Sequence, residues 1–340
     1  MRKLFIILFH AFFLALCLMA GQWRSKEIVG VEAEAPIQVD GHLDEPAWEK
    51  APAAGDFIQL QPEKGKPASE RTSVKILFND HYVYFGFWCY DSEPDRIAAR
   101  ITKRDTDLRS DDSVYVLIDT FHDRRTCYYV CTNLLGTQWD GRITENGRTL
   151  DSTWDGEWKS AAIRTPFGWT AEFAVPLSSI KYEPGENRTW GLSLGRGIPR
   201  KLEFSFWTGP LESAYKVSQF GELKGLTLKR AQKKGVIIPH VISKAEEDKR
   251  TTAEAGLDVR YALSQKVSAN LTLNPDFATV EADQEVINLT RFETYLPEKR
   301  NFFLEGSEIY RQRIRLFYSR RISDIYAGAK VYGKTGGFEF

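Results

Sequence analysis

Aspartates crowd the middle of the chain: Asp105, Asp107, Asp111, Asp112, Asp119, Asp123, Asp140, Asp151 and Asp155. Carboxylates on neighbouring loops offer the several hard oxygen donors that calcium takes. A site built around Asp111, Asp112 and Asp140 is therefore the candidate for structural Ca2+. The spacing is not that of an EF-hand loop, and the same groups could be solvated or paired with Arg104, Arg124 and Arg125, so both readings stand. A glycosidase needs only two carboxylates about 5–9.5 Å apart, a condition that any carboxylate-rich chain can meet. Other catalytic arrangements have less support. There is no G-x-S-x-G elbow and no H-E-x-x-H helix, the five histidines are scattered, and no Cys/His spacing suggests zinc.

The elements that would position these groups are strands. Val74, Ile76 and Phe78 alternate with polar neighbours, Asn79-Asp80 supplies a turn, and 81–90 is apolar on both faces, as a buried central strand would be. Val114, Val116 and Ile118 share one face of 113–120. A charged hairpin (122–125) leads to 126–133, and Trp169, Ala171, Phe173 and Val175 alternate before Pro176. Runs at 189–196 and 220–228 close the series. Upstream, Ile37 and Val39 read as a strand that ends at Asp40-Gly41. Asp44 is the expected cap of a short helix carrying Glu45, Pro46 and an inward Trp48. Many short strands with few helices predict an all-β fold, an antiparallel β-sandwich over 27–228.

The chain of 340 residues is 42% hydrophobic, ample for two domains, and its formal net charge of +0 provides no field to attract nucleic acid. Residues 1–20 begin Met1-Arg2-Lys3, continue apolar from Leu4 to Ala20 and precede Gly21, the pattern of a secretory signal peptide. The expected protein is exported. Loss of the signal would remove Cys17 and leave Cys89, Cys127 and Cys131. Cys127 and Cys131, four residues apart at about 3.3 Å each along a strand, are too distant to bridge. Cys89 paired with one of them, or three buried thiols, are the alternatives.

A basic stretch, 229–235, reads as a linker. Beyond it, Val267, Ala269, Leu271 and Leu273 alternate with Ser268, Asn270, Thr272 and Asn274, and Leu257, Val259 and Tyr261 alternate with Asp258 and Arg260. A half-buried soluble sheet gives this pattern. So do transmembrane barrel strands, which the charges on the polar face and the signal favour. Only about five strand-like runs follow the linker, fewer than the ~8 of a single-chain barrel. Residues 236–340 are therefore expected to be the start of a longer barrel-like domain in the outer membrane of a Gram-negative bacterium.

Several strings carry a family resemblance: DGHLDEPAW, VKILFNDHYVYFGFWCYD, DDSVYVLIDTFHD, GWTAEFAVPLSSI and WGLSLGR, in that order. Residues 37–228 thereby resemble family 9 carbohydrate-binding modules, which are β-sandwiches. The string from LTLNPDFATV to FFLEGSEIY, with LFYSRR and GAKVYGKTGG, is similar to the uncharacterised domain that follows such modules in large outer-membrane proteins. In sugar-binding members two tryptophans stack on the faces of a sugar. Here Arg109 stands at the first position and Ala214 with Tyr215 at the second. A family glutamate is Tyr115 and a family arginine is Cys131, while Asn133 is retained. The resemblance implies a carbohydrate cleft of different make-up, from Arg109, Tyr115, Asn133, Trp139 and Tyr215, and structural calcium of the kind family modules hold. The alternative is that these aromatics only pack the sheet. The function so implied is binding of poly- or oligosaccharide at the cell envelope, ancillary to polysaccharide uptake or breakdown. Glycoside hydrolase activity and a docking domain without a sugar site are the alternatives.

Overall fold

The computed structural model describes residues 25–152, 154–229, 235–244, 252–264, 267–275, 298, 301–304, 306, 317–322, 325–335 and 338–340. The expected signal peptide lies outside the described residues, as do residues 230–234 of the linker and most of 276–316.

In chain order the first domain comprises β1 (Glu27–Val29), β2 (Val31–Glu32), α1 (Pro46–Lys50), β3 (Ile58–Gln61), β4 (Thr72–Phe78), β5 (Tyr82–Tyr90), β6 (Ser113–Asp119) and β7 (Cys127–Asn133). It continues through β8 (Gln138–Thr144), β9 (Thr149–Asp151), β10 (Lys159–Thr165), β11 (Gly168–Pro176), β12 (Gly185–Ile198), β13 (Glu203–Phe206) and β14 (Gly221–Leu228). A nine-stranded sheet runs β1-β14-β12-β6-β7-β8-β9, with β13 paired to the far end of β12 and β3 to β13. A five-stranded sheet runs β10-β11-β5-β4-β2. Pairing is antiparallel except where the N-terminal segment joins both sheets, β1 lying parallel to β14 and β2 parallel to β4.

Alternation sorts the side chains, because successive residues of a strand point to opposite faces. Val114, Val116 and Ile118 of β6 meet Ile76 of β4, Phe85 and Phe87 of β5, and Phe173 of β11 in one buried core between the sheets. The opposite face of the large sheet carries a second buried cluster. The outer face of the small sheet carries a third, where Trp48 of α1 packs with Ile37, Leu77 and Tyr84. The cysteines divide accordingly. Cys89 lies in the core between the sheets, whereas Cys127 and Cys131 lie on the far side of the large sheet, so all three are free thiols.

One end of the inter-sheet core is closed by charge rather than by apolar groups. Arg196 of β12, fully buried, donates through Nη1 to the carbonyl oxygens of Tyr90 (2.8 Å) and Arg71 (3.1 Å). Its Nη2 lies 3.5 Å from Asp91, whose other oxygen accepts from Arg200 at 2.5 Å. An ion is tolerated there because both terminal nitrogens of Arg196 and both oxygens of Asp91 have partners, although the buried Arg196 Nε makes no hydrogen bond.

The segment around Asp40-Gly41 departs from expectation in two respects: Ile37 and Val39 lie in a stretch that pairs with no strand, and the helix has a different residue before it. Glu45, not Asp44, precedes the helix, in an extended conformation (φ -64, ψ 138), and its side chain makes no cap bond. Pro46 at the first helical position is the cause, since the residue before a proline is held extended. The Glu45 carboxylate instead accepts from Gln38 N and from Trp48 Nε1, each at 3.0 Å. Gly41 has φ 89, and a Cβ there would sit 3.2 Å from the Ala162 backbone. Glu172 of β11 holds this turn by accepting from Asp40 N (3.2 Å) and Gly41 N (3.3 Å). Burial pushes the Glu172 carboxyl up to about 8, against the opposing bond from Gly41 N and with the help of neighbouring Glu45.

After the linker a further sheet follows: β15 (Gly235–Lys244), β16 (Thr252–Ala262), β17 (Val267–Leu273), β18 (Ala327–Thr335) and β19 (Phe338–Glu339), antiparallel and in chain order. Among the described residues it has open edges at β15 and β19. No described helix is long and apolar enough to cross a membrane, a fact that says nothing of strands.

Candidate functional site

The outer face of the large sheet gathers the aromatic residues singled out above. Tyr115 on β6 and Trp139 on β8 flank Cys131 on β7, because Tyr115 pairs with Cys131 and Cys131 with Trp139. The Tyr115 and Trp139 rings meet edge to face at 6.5 Å, and Trp139 meets Tyr129 the same way at 5.5 Å. Phe204 of β13 covers Tyr115 from the other side at 5.5 Å. These geometries suit ring quadrupoles and fill space efficiently. They also use the ring surface: Tyr115 is 5% exposed and Trp139 7%. Burial raises the Tyr115 phenol well above its ordinary range, and Ser113 Oγ donates to its oxygen at 3.1 Å.

Segment 207–220 lies over this floor, with Leu211, Val217 and Phe220 buried against it and Tyr215 partly so. Asn146 fastens the segment: its Nδ2 donates to Ser218 Oγ (3.1 Å) and its Oδ1 accepts from Ser218 N (2.9 Å). Burial pushes the Tyr215 phenol up, while the nearby Arg109 guanidinium works against that shift. Arg109 itself is exposed and clasps Asp107, its Nε 2.8 and 2.9 Å from the two carboxylate oxygens. Arg109, Tyr115, Trp139 and Tyr215 thus belong to one region, a covered aromatic floor with a charged pair at its rim.

Asn133 does not join that rim. Its Nδ2 donates to Ile101 O and Asp111 Oδ2, both at 2.9 Å, and its Oδ1 accepts from Leu135 N and Thr137 N, both at 3.0 Å. Every amide bond is spent on shaping the turn after β7 and tying down the strap before β6.

The aspartates expected to share a cation are held in three separate networks. Asp111 accepts from Arg100 N and Ile101 N at 2.8 Å each. Asp112 accepts from Ala98 N at 2.8 Å and lies 3.6 Å from Arg200. Asp140, on the opposite face of β8 from Trp139, accepts from Trp158 Nε1 (2.5 Å), Arg104 Nη2 (3.1 Å) and Gly156 N (3.2 Å). Burial pushes the Asp140 carboxyl up to about 6, the bonds from Trp158 and Gly156 opposing it. Among the described residues no group of three or more His, Cys, Asp or Glu side chains could hold a metal ion. Backbone N–H groups, Trp158 and Arg104 take one oxygen each of Asp111, Asp112 and Asp140, while Oδ1 of Asp112 and Oδ1 of Asp140 are buried without a hydrogen bond.

Three contributors escaped the sequence reading. Tyr129 follows from the alternation of Cys127 and Cys131 and from its pairing with Gly141. Asp107 follows from its i,i+2 placement before Arg109. Phe204 gave no local signal, since it reaches Tyr115 only through the β12–β13 turn.

Residues 39–196 match the family described as Carbohydrate family 9 binding domain-like, and residues 237–332 match a Domain of unknown function (DUF5916). The sandwich is therefore similar to family 9 carbohydrate-binding domains, over a little less than half of the chain. Among solved structures, a family 9 carbohydrate-binding module from Caldicellulosiruptor kristjanssonii in complex with cellotriose is 18% identical, with TM-score 0.43, over 60% of this chain and 94% of that one. The same module in complex with glucose is 18% identical, with TM-score 0.45, over 60% and 96%. A Bacteroides uniformis protein is 14% identical, with TM-score 0.46, over 60% and 100%. No curated protein matches the chain.

Proposed function

We propose that the sandwich binds carbohydrate on the outer face of its large sheet, as part of an exported protein of the cell envelope that serves polysaccharide uptake or breakdown. The family match over 39–196 is the observation that carries this reading. The buried ring faces of Tyr115 and Trp139 argue against stacking a sugar between two aromatic planes. Contact would instead fall to the rim, where Asp107 and Arg109 offer an acceptor and donors for hydroxyls beside the Tyr215 ring. Such a shallow site binds weakly. Titration calorimetry with glucose, cellotriose and a panel of polysaccharides tests it. Heat at millimolar sugar, lost in Arg109→Ala with an unchanged melt, is the expected outcome, and no heat across the panel would contradict the reading.

One observation favours a second reading. Segment 207–220 seals the aromatic floor with fully buried Leu211 and Val217, as a packing face would be sealed. On that reading the sandwich is a docking domain of the second, outer-membrane domain and has no sugar site. Silent calorimetry would select it.

A further inference from the structure

The sheet after the linker is built with its polarity reversed. Residues opposite one another on neighbouring strands share a face, so the register assigns every side chain. One face takes Ile237, Pro239 and Val241 of β15 with Val259 and Leu257 of β16. The same face takes Leu271 and Leu273 of β17, then Ala327, Ala329 and Val331 of β18, and Phe338 of β19 through Thr335. None of these is charged. The other face takes Asp258, Arg260, Asn270, Thr272, Lys330 and Tyr332, together with Val236, Ile238 and His240 of the edge strand β15.

In a soluble sheet the apolar face would be the covered one. Here Val241 is 76% exposed, Ile237 67% and Val331 52%, whereas Thr272 is 1% and Asn270 5% exposed. Polar bonds are made on the covered side: Thr272 Oγ1 donates to Asp258, and Lys330 Nζ to Phe302 O. An exposed apolar surface this continuous calls for an occupant.

We propose that the occupant is the hydrocarbon of a lipid bilayer, an inference that rests on the envelope reading above and names the surface that would meet it. Three observations favour lipid over a protein partner. The face offers no side-chain charge to orient a partner. β15, β16 and β18 have 10, 11 and 9 residues, the ~9–11 that a tilted strand needs to cross a bilayer, while β17 between them has 7. Aromatic residues stand toward the two ends of the strands, Tyr261 and Phe338 at one and the 94% exposed Tyr326 at the other, where interfacial rings belong.

The test uses the full chain in a Cys17→Ser background, since Cys89, Cys127 and Cys131 are buried. A fluorophore is placed at Val331→Cys or, on the other face, at Ser268→Cys. The chain is then mixed with vesicles of phosphatidylethanolamine and phosphatidylglycerol bearing brominated acyl chains. The proposal expects the unlabelled chain to float with the vesicles, the Val331→Cys label to be quenched and the Ser268→Cys label to be spared. A chain that stays soluble as a monomer, or that hides the face in a soluble dimer, overturns it, as does equal quenching at both sites. In the unlabelled chain Leu271→Asp should lower vesicle partition about tenfold or more. The sugar titration above is independent of every arm, so failure of carbohydrate binding and failure of lipid contact are separately visible.

Discussion

The two sheet systems of this chain obey the same period-two rule and give it opposite meanings. In the sandwich, residues that point between the sheets, such as Val116 and Phe173, are apolar and fully covered, and the buried charges, Arg196 with Asp91 among them, sit where other polar groups answer them. In the sheet after the linker the covered residues are Asn270 and Thr272 and the bare ones are Ile237 and Val241. Alternation shows that a strand has two unlike faces. It does not show which face meets water, because that depends on what surrounds the sheet, and a bilayer reverses the preference that water sets.

The sharpest way to break this contrast is to attack the sandwich's buried ion pair. Arg196→Met removes bonds to two backbone carbonyls and to Thr72 Oγ1 and takes one of the two cations from Asp91, so about 3 kcal/mol or more of stability should be lost. Denaturant unfolding checks this, and a loss below about 1 kcal/mol would mean that the charged end of the core is not closed as described. A smaller effect is expected beneath the aromatic floor. A Cβ on Gly141 would lie 2.5 Å from Asp151 O and 2.6 Å from the Tyr129 ring, so Gly141→Ala should cost about 1–3 kcal/mol through forced displacement.

Glu172 sharpens the comparison through pH. Its folded-state carboxyl titrates near 8 against an ordinary 4.5, so the folded state binds the proton more tightly than the unfolded chain. The associated stability is whole below about pH 4.5 and is lost as pH rises through about 8, with a slope of at most about 1.4 kcal/mol per pH unit. Glu172→Gln should flatten that slope in melts taken across this range, and an unchanged slope would place its origin elsewhere. The smallest expected effect is at the rim: Arg109 is exposed, so Arg109→Ala should alter stability by no more than about 0.5 kcal/mol while removing sugar binding.

Much of this architecture is legible in the sequence. The alternating runs mark β4 to β7, β11, β12 and β14 within a residue or a few of their ends, and Trp48 is inward as its place after Pro46 implies. β8 and β10 carry no such signal: Gln138–Thr144 holds Asp140 and Arg142 among its apolar residues, and Lys159–Thr165 is only half buried. The site was less legible for a related reason. Carboxylate spacing cannot reveal that Asp111, Asp112 and Asp140 are each spent on different backbone N–H groups, nor can Asn133 announce that all its amide bonds are local. Those partners come from the strap before β6 and the loops around β8, segments whose positions are set by tertiary packing.

The most direct measurement separates the two regions in one sample. A specific protease site placed in the linker between Lys229 and Gly235 is cleaved in vesicle-bound chain, and the fragments are fractionated by flotation. The account predicts the sandwich in the soluble fraction, folded and melting cooperatively with β-type circular dichroism, and the C-terminal fragment floating with lipid. Both fragments soluble, or both bound to the vesicles, would contradict the claim that the two regions turn opposite faces to their surroundings.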